Sequence, residues 1–297
     1  MVDRNPYRGG ERRLTSGEEG GRGAAWLAAP AVIWTLALFV VPLGVMAWVS
    51  VQPSPGAQIA GPTLANYAAF FERPHFWAAM ANSLVVTLIV TAVSVLLAYP
   101  FALVLAQVVP ARWQRLALVL AVLPFWTSYV VRSYAWLLVL SSSGVVNKAL
   151  LGLGVVAEPL ELANTRTATV IGFTHFFVML LTLTIYANLK MIPQTYRAAA
   201  ADLGAGRIAT FFWITLPLTV PGIATGAFLT FVLCIGDFIT PQILGGNNEL
   251  LMPQLIVMQV GRRADFPTAA ALSLILMVVV TLAYLACARY LRLERAR

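Results

Sequence analysis

Six stretches of this 297-residue chain run for about 20 residues or more with almost no charge. A helix needs about that length to cross the roughly 30 Å hydrocarbon core of a bilayer. Ala24–Val51 and Met80–Val109 carry no charged residue, and Leu116–Leu140 is interrupted only by Arg132. Thr167–Leu189 holds only His175, while Phe211–Gly236 and Thr268–Ala288 hold none. In lipid every backbone N–H and C=O must be satisfied internally, so such runs fold as helices. Charged residues make up 11% of the chain and apolar ones 60%, against about 25% charged in soluble domains. A soluble globule and a disordered chain are both excluded on that count. The first run follows a polar stretch containing Asp3, Glu11, Glu18 and Glu19, and it exceeds the roughly 7–15 apolar residues of a signal-peptide core.

Basic residues orient the spans. With the N-terminus inside, the inner segments hold Arg4, Arg8, Arg12, Arg13, Arg22, Arg112, Arg115, Lys190, Arg197, Arg207, Arg289, Arg292, Arg295 and Arg297. The outer segments hold Arg73, Lys148, Arg166, Arg262 and Arg263. Cytoplasmic segments attract Lys and Arg, so the expectation is an all-α polytopic membrane protein, six spans, N-in and C-in. Residues 1–23 and 292–297 are then cytoplasmic tails around a membrane portion at 24–291. The net charge of +8 records topology and contact with anionic lipid, not nucleic acid.

Several chemistries are missing. The two lysines, Lys148 and Lys190, are followed by Ala149 and Met191, so no phosphate-binding GxxxxGK[ST] loop exists. His75 and His175 stand alone, and Cys234 and Cys287 lie in apolar runs. Neither a metal site nor a disulfide framework is expected. No GxSxG elbow occurs, and acidic pairs of the kind an ion-coupled carrier uses are missing. An enzyme is not expected, and no cofactor is.

The loop at 190–216 is long for a connection between two spans. Its alanine-rich stretch Tyr196-Arg197-Ala198-Ala199-Ala200-Ala201-Asp202 favours a helix, and Gly204 or Gly206 suits the C-terminal cap. Small side chains let another surface approach closely. Pro217 and Pro221 are expected to break the chain there and delay the fifth membrane helix until about Val220.

The series Ala199-Ala200, Gly204, then nine residues to Ile214-Thr215-Leu216-Pro217, with Asp202 between, resembles the EAA loop of binding-protein-dependent ABC importer permeases. Ala198 occupies the position of the eponymous glutamate. A second stretch, Leu123-Pro124-Phe125-Trp126-Thr127-Ser128-Tyr129-Val130-Val131-Arg132-Ser133-Tyr134-Ala135-Trp136, resembles the third span of the spermidine/putrescine subgroup. So does Gly236-Asp237-Phe238-Ile239-Thr240-Pro241-Gln242-Ile243-Leu244-Gly245-Gly246. The likeness runs from about Trp26 to Leu291.

The resemblance implies a type I ABC importer permease fold in a bacterial inner membrane. It implies a second permease subunit, expected to be a different chain with a homodimer as the alternative, two ATPase subunits that bind the ATP, and an extracytoplasmic solute-binding protein. It places ATPase coupling at Arg197, Ala198, Ala199, Ala200, Asp202, Gly204, Ile214, Leu216 and Pro217, with Arg197 or Asp202 replacing the glutamate's contact. Relatives of the subgroup move other solutes, so an amino acid, an aminophosphonate or another organic ion stands beside polyamine as substrate. A polytopic scaffold that moves nothing is the remaining alternative.

The candidate substrate path follows from Arg132, the one charge inside a span. An intramembrane charge is costly unless paired or hydrated, and Asp237, at the outer end of the fifth span, is its expected partner. Trp126, Tyr129, Tyr134 and Trp136 surround Arg132 in sequence, and Phe238 follows Asp237. Such rings either hold an organic cation or form an interfacial aromatic belt. Gly222-x-x-x-Gly226 reads as a close helix contact.

Overall fold

The computed structural model describes residues 19–57, 61–246 and 250–295, with side chains from 29 to 288. The expected tail at 1–23 lies outside this range apart from the backbone of its last residues, and the expected tail at 292–297 falls where side chains are not described. Every described element is helical. In chain order they are α1 (Glu19–Ser50), α2 (Ala65–Glu72), α3 (Pro74–Leu103), α4 (Ala111–Val122), α5 (Tyr129–Leu140), α6 (Val145–Gly152) and α7 (Arg166–Met191). Then come α8 (Gln194–Asp202), α9 (Arg207–Thr210), α10 (Leu216–Ile235), α11 (Ile239–Leu244), α12 (Met252–Arg263) and α13 (Phe266–Arg295).

Six helical segments are long and apolar enough to span a membrane: Ala29–Ser50, Pro74–Val108, Tyr129–Gly152, Arg166–Met191, Arg207–Ile235 and Phe266–Ala288. Met1–Val49 and Ser50–Arg297 are separate compact units. The first is represented by α1, which carries Pro30 and Pro42 within it.

Within Ser50–Arg297 the core runs along α3, α7 and α10. Ala98 and Ala102 of α3 pack against Leu181, Ile185 and Leu189 of α7. Further along, Val86 and Val90 meet Phe173, Phe177 and Cys234. The Gly222–Gly226 pair does what its spacing predicts. Both glycines are buried, and a Cβ on either would collide, at Gly222 with the Asn188 side chain and at Gly226 with Leu181. A second cluster joins Phe70, Phe76, Ala79 and Met80 to Met252, Leu255 and Leu272. Ser83 Oγ accepts from Met252 N at 2.7 Å, tying α12 to α3.

Two spans differ from expectation. Leu116–Leu140 is not one helix: α4 ends at Val122, a 3₁₀ turn covers Leu123–Trp126, and Thr127 and Ser128 are extended. Pro124 contributes to the break because it has no N–H to give to the preceding turn of α4; Leu123 before it stays in α geometry, and the chain turns extended at Thr127. Thr127 Oγ1 donates to Pro124 O at 2.7 Å and closes the turn. The apolar span therefore begins at Tyr129 and continues through α6.

The fifth span shows the opposite correction. Pro217 and Pro221 do not interrupt it, because the chain is helical from Arg207 to Ile235. A π turn at Phe211–Thr215 links α9 to α10, with Leu216 N donating to Phe211 O. Pro217 falls in the first turn of α10, where a missing N–H costs little.

Candidate functional site

Two groups of residues carry the candidate chemistry. The first lies where the broken third span meets the end of the fifth. Arg132, one turn into α5, reaches back and donates from Nη1 to Pro124 O at 2.9 Å, the same carbonyl that Thr127 uses to close the 3₁₀ turn. Its guanidinium sits 5.1 Å from the Tyr129 ring centroid and 4.8 Å from that of Phe176. Two π faces and one carbonyl offset the cost of placing this charge inside a span.

Asp237 is not the partner of Arg132. Asp237 Oδ2 accepts from the Tyr129 hydroxyl, which also contacts Thr240 Oγ1. Oδ1 accepts from Ile239 N at 2.8 Å, which holds the turn into α11. Tyr129 thus stands between the two charges, its ring beside Arg132 and its hydroxyl on Asp237. Geometry explains this better than charge does. The carboxylate sits on a turn whose own N–H reaches it, and the arginine sits within reach of the Pro124 carbonyl.

The remaining predicted residues scatter. Trp126 is 86% exposed, and Tyr134 and Phe238 are also exposed. Trp136 packs edge-on to His175, with centroids 5.5 Å apart. Only Tyr129, Arg132 and Asp237 of the predicted path converge. Sequence reasoning missed Phe176, which also packs on Phe125 and Tyr129, and it missed Thr240. Thr240 stood in the quoted motif. For Phe176 the only signal was its place beside His175 in a charge-free run.

The second group is α8. Gly204 has φ +80°, a conformation that glycine adopts without a Cβ penalty. Gly204 N donates to Ala201 O and Ala205 N to Ala200 O, both at 2.9 Å. This pair of bonds is a Schellman cap, so of the two glycines offered by the sequence Gly204 is the one that stops the helix. Ala200 is buried, whereas Ala198, Ala199 and Asp202 are exposed, and Leu203 is 89% exposed. Arg197 turns inward: its Nε is buried and without a hydrogen-bond acceptor. Thr215 is buried, and Ile214, Leu216 and Pro217 belong to the π turn and the start of α10. No group of three or more potential metal ligands occurs among the described residues.

No family profile matches the chain. The spermidine/putrescine transport system permease protein PotB of Salmonella typhimurium (strain SL1344) is 35% identical over 220 residues, 74% of this chain and 76% of that protein. The inner membrane ABC transporter permease protein YdcU of Escherichia coli (strain K12) is 34% identical over 237 residues, 75% of this chain and 74% of that protein. Among solved structures, a chain of a bacterial alginate ABC transporter, crystallised with an alginate pentasaccharide-bound periplasmic protein, superposes with a TM-score of 0.77. Its identity is 19%, with 90% of this chain and 94% of that chain covered, so it bears on the fold alone.

Proposed function

This chain belongs to the family of ABC-transporter permeases, and from that premise we propose that it forms half of a path for a polyamine such as spermidine or putrescine. It is a multi-pass inner-membrane subunit of a bacterial ABC importer, not an enzyme. A second permease, a different chain, completes the path. Two ATPase subunits dock at the exposed side of α8, and an extracytoplasmic binding protein delivers the solute at the opposite membrane face. The N-in, C-in orientation rests on the basic residues. Closure of the ATPase pair moves α8, and through the continuous helix Arg207–Ile235 the movement reaches Asp237.

The observation that carries the polyamine reading is the arrangement around Asp237. A carboxylate has about four acceptor positions, and two hydrogen bonds are made to this one within the chain. Two acceptor positions of this half-buried carboxylate remain for an ammonium group. Arg132 would repel a cation if it stood free, but it is held on Pro124 O and the rings of Tyr129 and Phe176. The test is reconstitution with the co-purifying subunits in liposomes, with ATP-dependent uptake of spermidine and putrescine measured against other small solutes. Saturable polyamine uptake is expected. Uptake of another solute and of no polyamine overturns the solute assignment.

A further inference from the structure

The coupling segment has an inner side that ATPase docking does not use. Between α8, α9 and the neighbouring ends of the spans Pro74–Val108 and Arg207–Ile235 lies about 670 Å³ of open space, lined by Gln107, Arg197, Ala201, Arg207, Thr210 and Phe211 among others. It is the polar exception among the cavities described: the other two are lined almost wholly by apolar surface. No carboxylate lines it. Arg197 Nε is buried there with no acceptor, a state that costs free energy unless something supplies one. Arg207 has no ion pair or hydrogen bond to its side chain.

The position identifies the kind of anion. At 100° per residue, Arg197 and Ala201 share one side of α8, and Tyr196, Ala199 and Leu203 lie on the far side, exposed. Arg197 thus turns away from the exposed docking side, and Arg207, which is exposed, lines the same cavity from α9. Gln107 lies at the end of the span Pro74–Val108, and Arg207 begins the span Arg207–Ile235, so the cavity sits at the depth of the headgroups. Ile208 and Trp213, close in sequence to lining residues, are exposed apolar side chains.

We propose that this cavity binds the phosphate of an anionic inner-leaflet lipid, held by Arg197 and Arg207, whose planar guanidinium groups match phosphate oxygens. The lipid would brace α8 against α3 and α10, so that movement at the docking surface is passed on rather than lost in the loop. The site rests on the orientation given above, which puts α8 on the cytoplasmic side.

Native mass spectrometry of the full-length chain, alone and with its ATPase subunits, tests this without reference to transport. The chain is taken from nanodiscs of phosphatidylcholine with or without phosphatidylglycerol. Selective retention of phosphatidylglycerol is expected, falling roughly fivefold for each arginine removed in R197Q and R207Q. R197K/R207K keeps the charge and retains the lipid, which separates loss of charge from loss of fold. Equal retention by the wild type and R197Q/R207Q overturns the proposal. Displacement of bound lipid by millimolar inorganic phosphate overturns the lipid as source and leaves a soluble anion site. Release of lipid when the ATPase subunits bind overturns it too, by assigning the arginines to an acidic side chain of the ATPase. None of these outcomes depends on which solute is imported, and a failed polyamine assay leaves the lipid result standing.

Discussion

The α8 segment and the Tyr129–Asp237 cluster are held by different means. In α8 the determinants are local: an alanine run, a glycine at φ +80° and two backbone bonds within six residues. The cluster is assembled from α5, α7 and the turn into α11, joining residues more than 100 positions apart in sequence. The locally built element bends to one substitution and leaves the rest of the fold intact. The tertiary element transmits any change to three helices at once.

The sharpest test of that contrast is to exchange the charges of the cluster. In R132D/D237R each new side chain meets an environment built for the other. The arginine stands against the Tyr129 hydroxyl and Ile239 N–H, both donors, and the aspartate faces two π systems and a carbonyl. With a misplaced charge costing about 2.5–3.5 kcal/mol in a span, uptake by proteoliposomes should fall about a hundredfold. Uptake restored to the wild-type rate would mean that the two charges pair after all.

A smaller effect is expected at α8. Gly204→Val forces a β-branched residue into left-handed geometry, which costs about 1–2 kcal/mol. Solute-stimulated ATP hydrolysis should drop about tenfold, while thermal stability of the purified chain stays within a few degrees of the wild type. A large fall in stability would show that the cap supports the whole fold and not α8 alone.

Tyr129→Phe removes the hydroxyl and leaves the ring. Asp237 loses one donor, worth about 1 kcal/mol, and KM for uptake should rise about fivefold with ATP hydrolysis unchanged. Arg132→Lys keeps the charge but loses the planar stack on Tyr129 and Phe176. Contacts of that type contribute about 0.5–1 kcal/mol, so a change in uptake of about two- to fivefold closes the series.

The same contrast explains what could be read from sequence. Span number, a glycine cap on α8 and the Gly222–Gly226 contact follow from periods and spacings of a few residues and were legible, although the choice of Gly204 over Gly206 was not. Pro124 and Pro217 show where that legibility ends. Each is a proline in an apolar run, yet one breaks its span and the other begins α10 after a π turn. Which outcome follows depends on the hydrogen bonds of the preceding turn, and no residue type records that. The expected pairing of Arg132 with Asp237 rested on charge alone. It failed because nearer partners, the Pro124 carbonyl for Arg132 and the Tyr129 hydroxyl for Asp237, satisfy each group first. Phe176 could be found only by knowing how α7 is rotated against α5.

The role assigned to α8 is tested most directly by thiol crosslinking along it, in the complex with the ATPase subunits. Single cysteines replace Ala199, Leu203 and Ala201 in turn; all three are exposed, the first two on the outer side of α8 and the last on the side that lines the inner cavity. Cys234, which is buried, and Cys287 are replaced in the parent. A short bifunctional maleimide should join the A199C and L203C variants to the ATPase and leave A201C unjoined. Equal crosslinking from all three, or from none, would contradict docking through the outer side of α8.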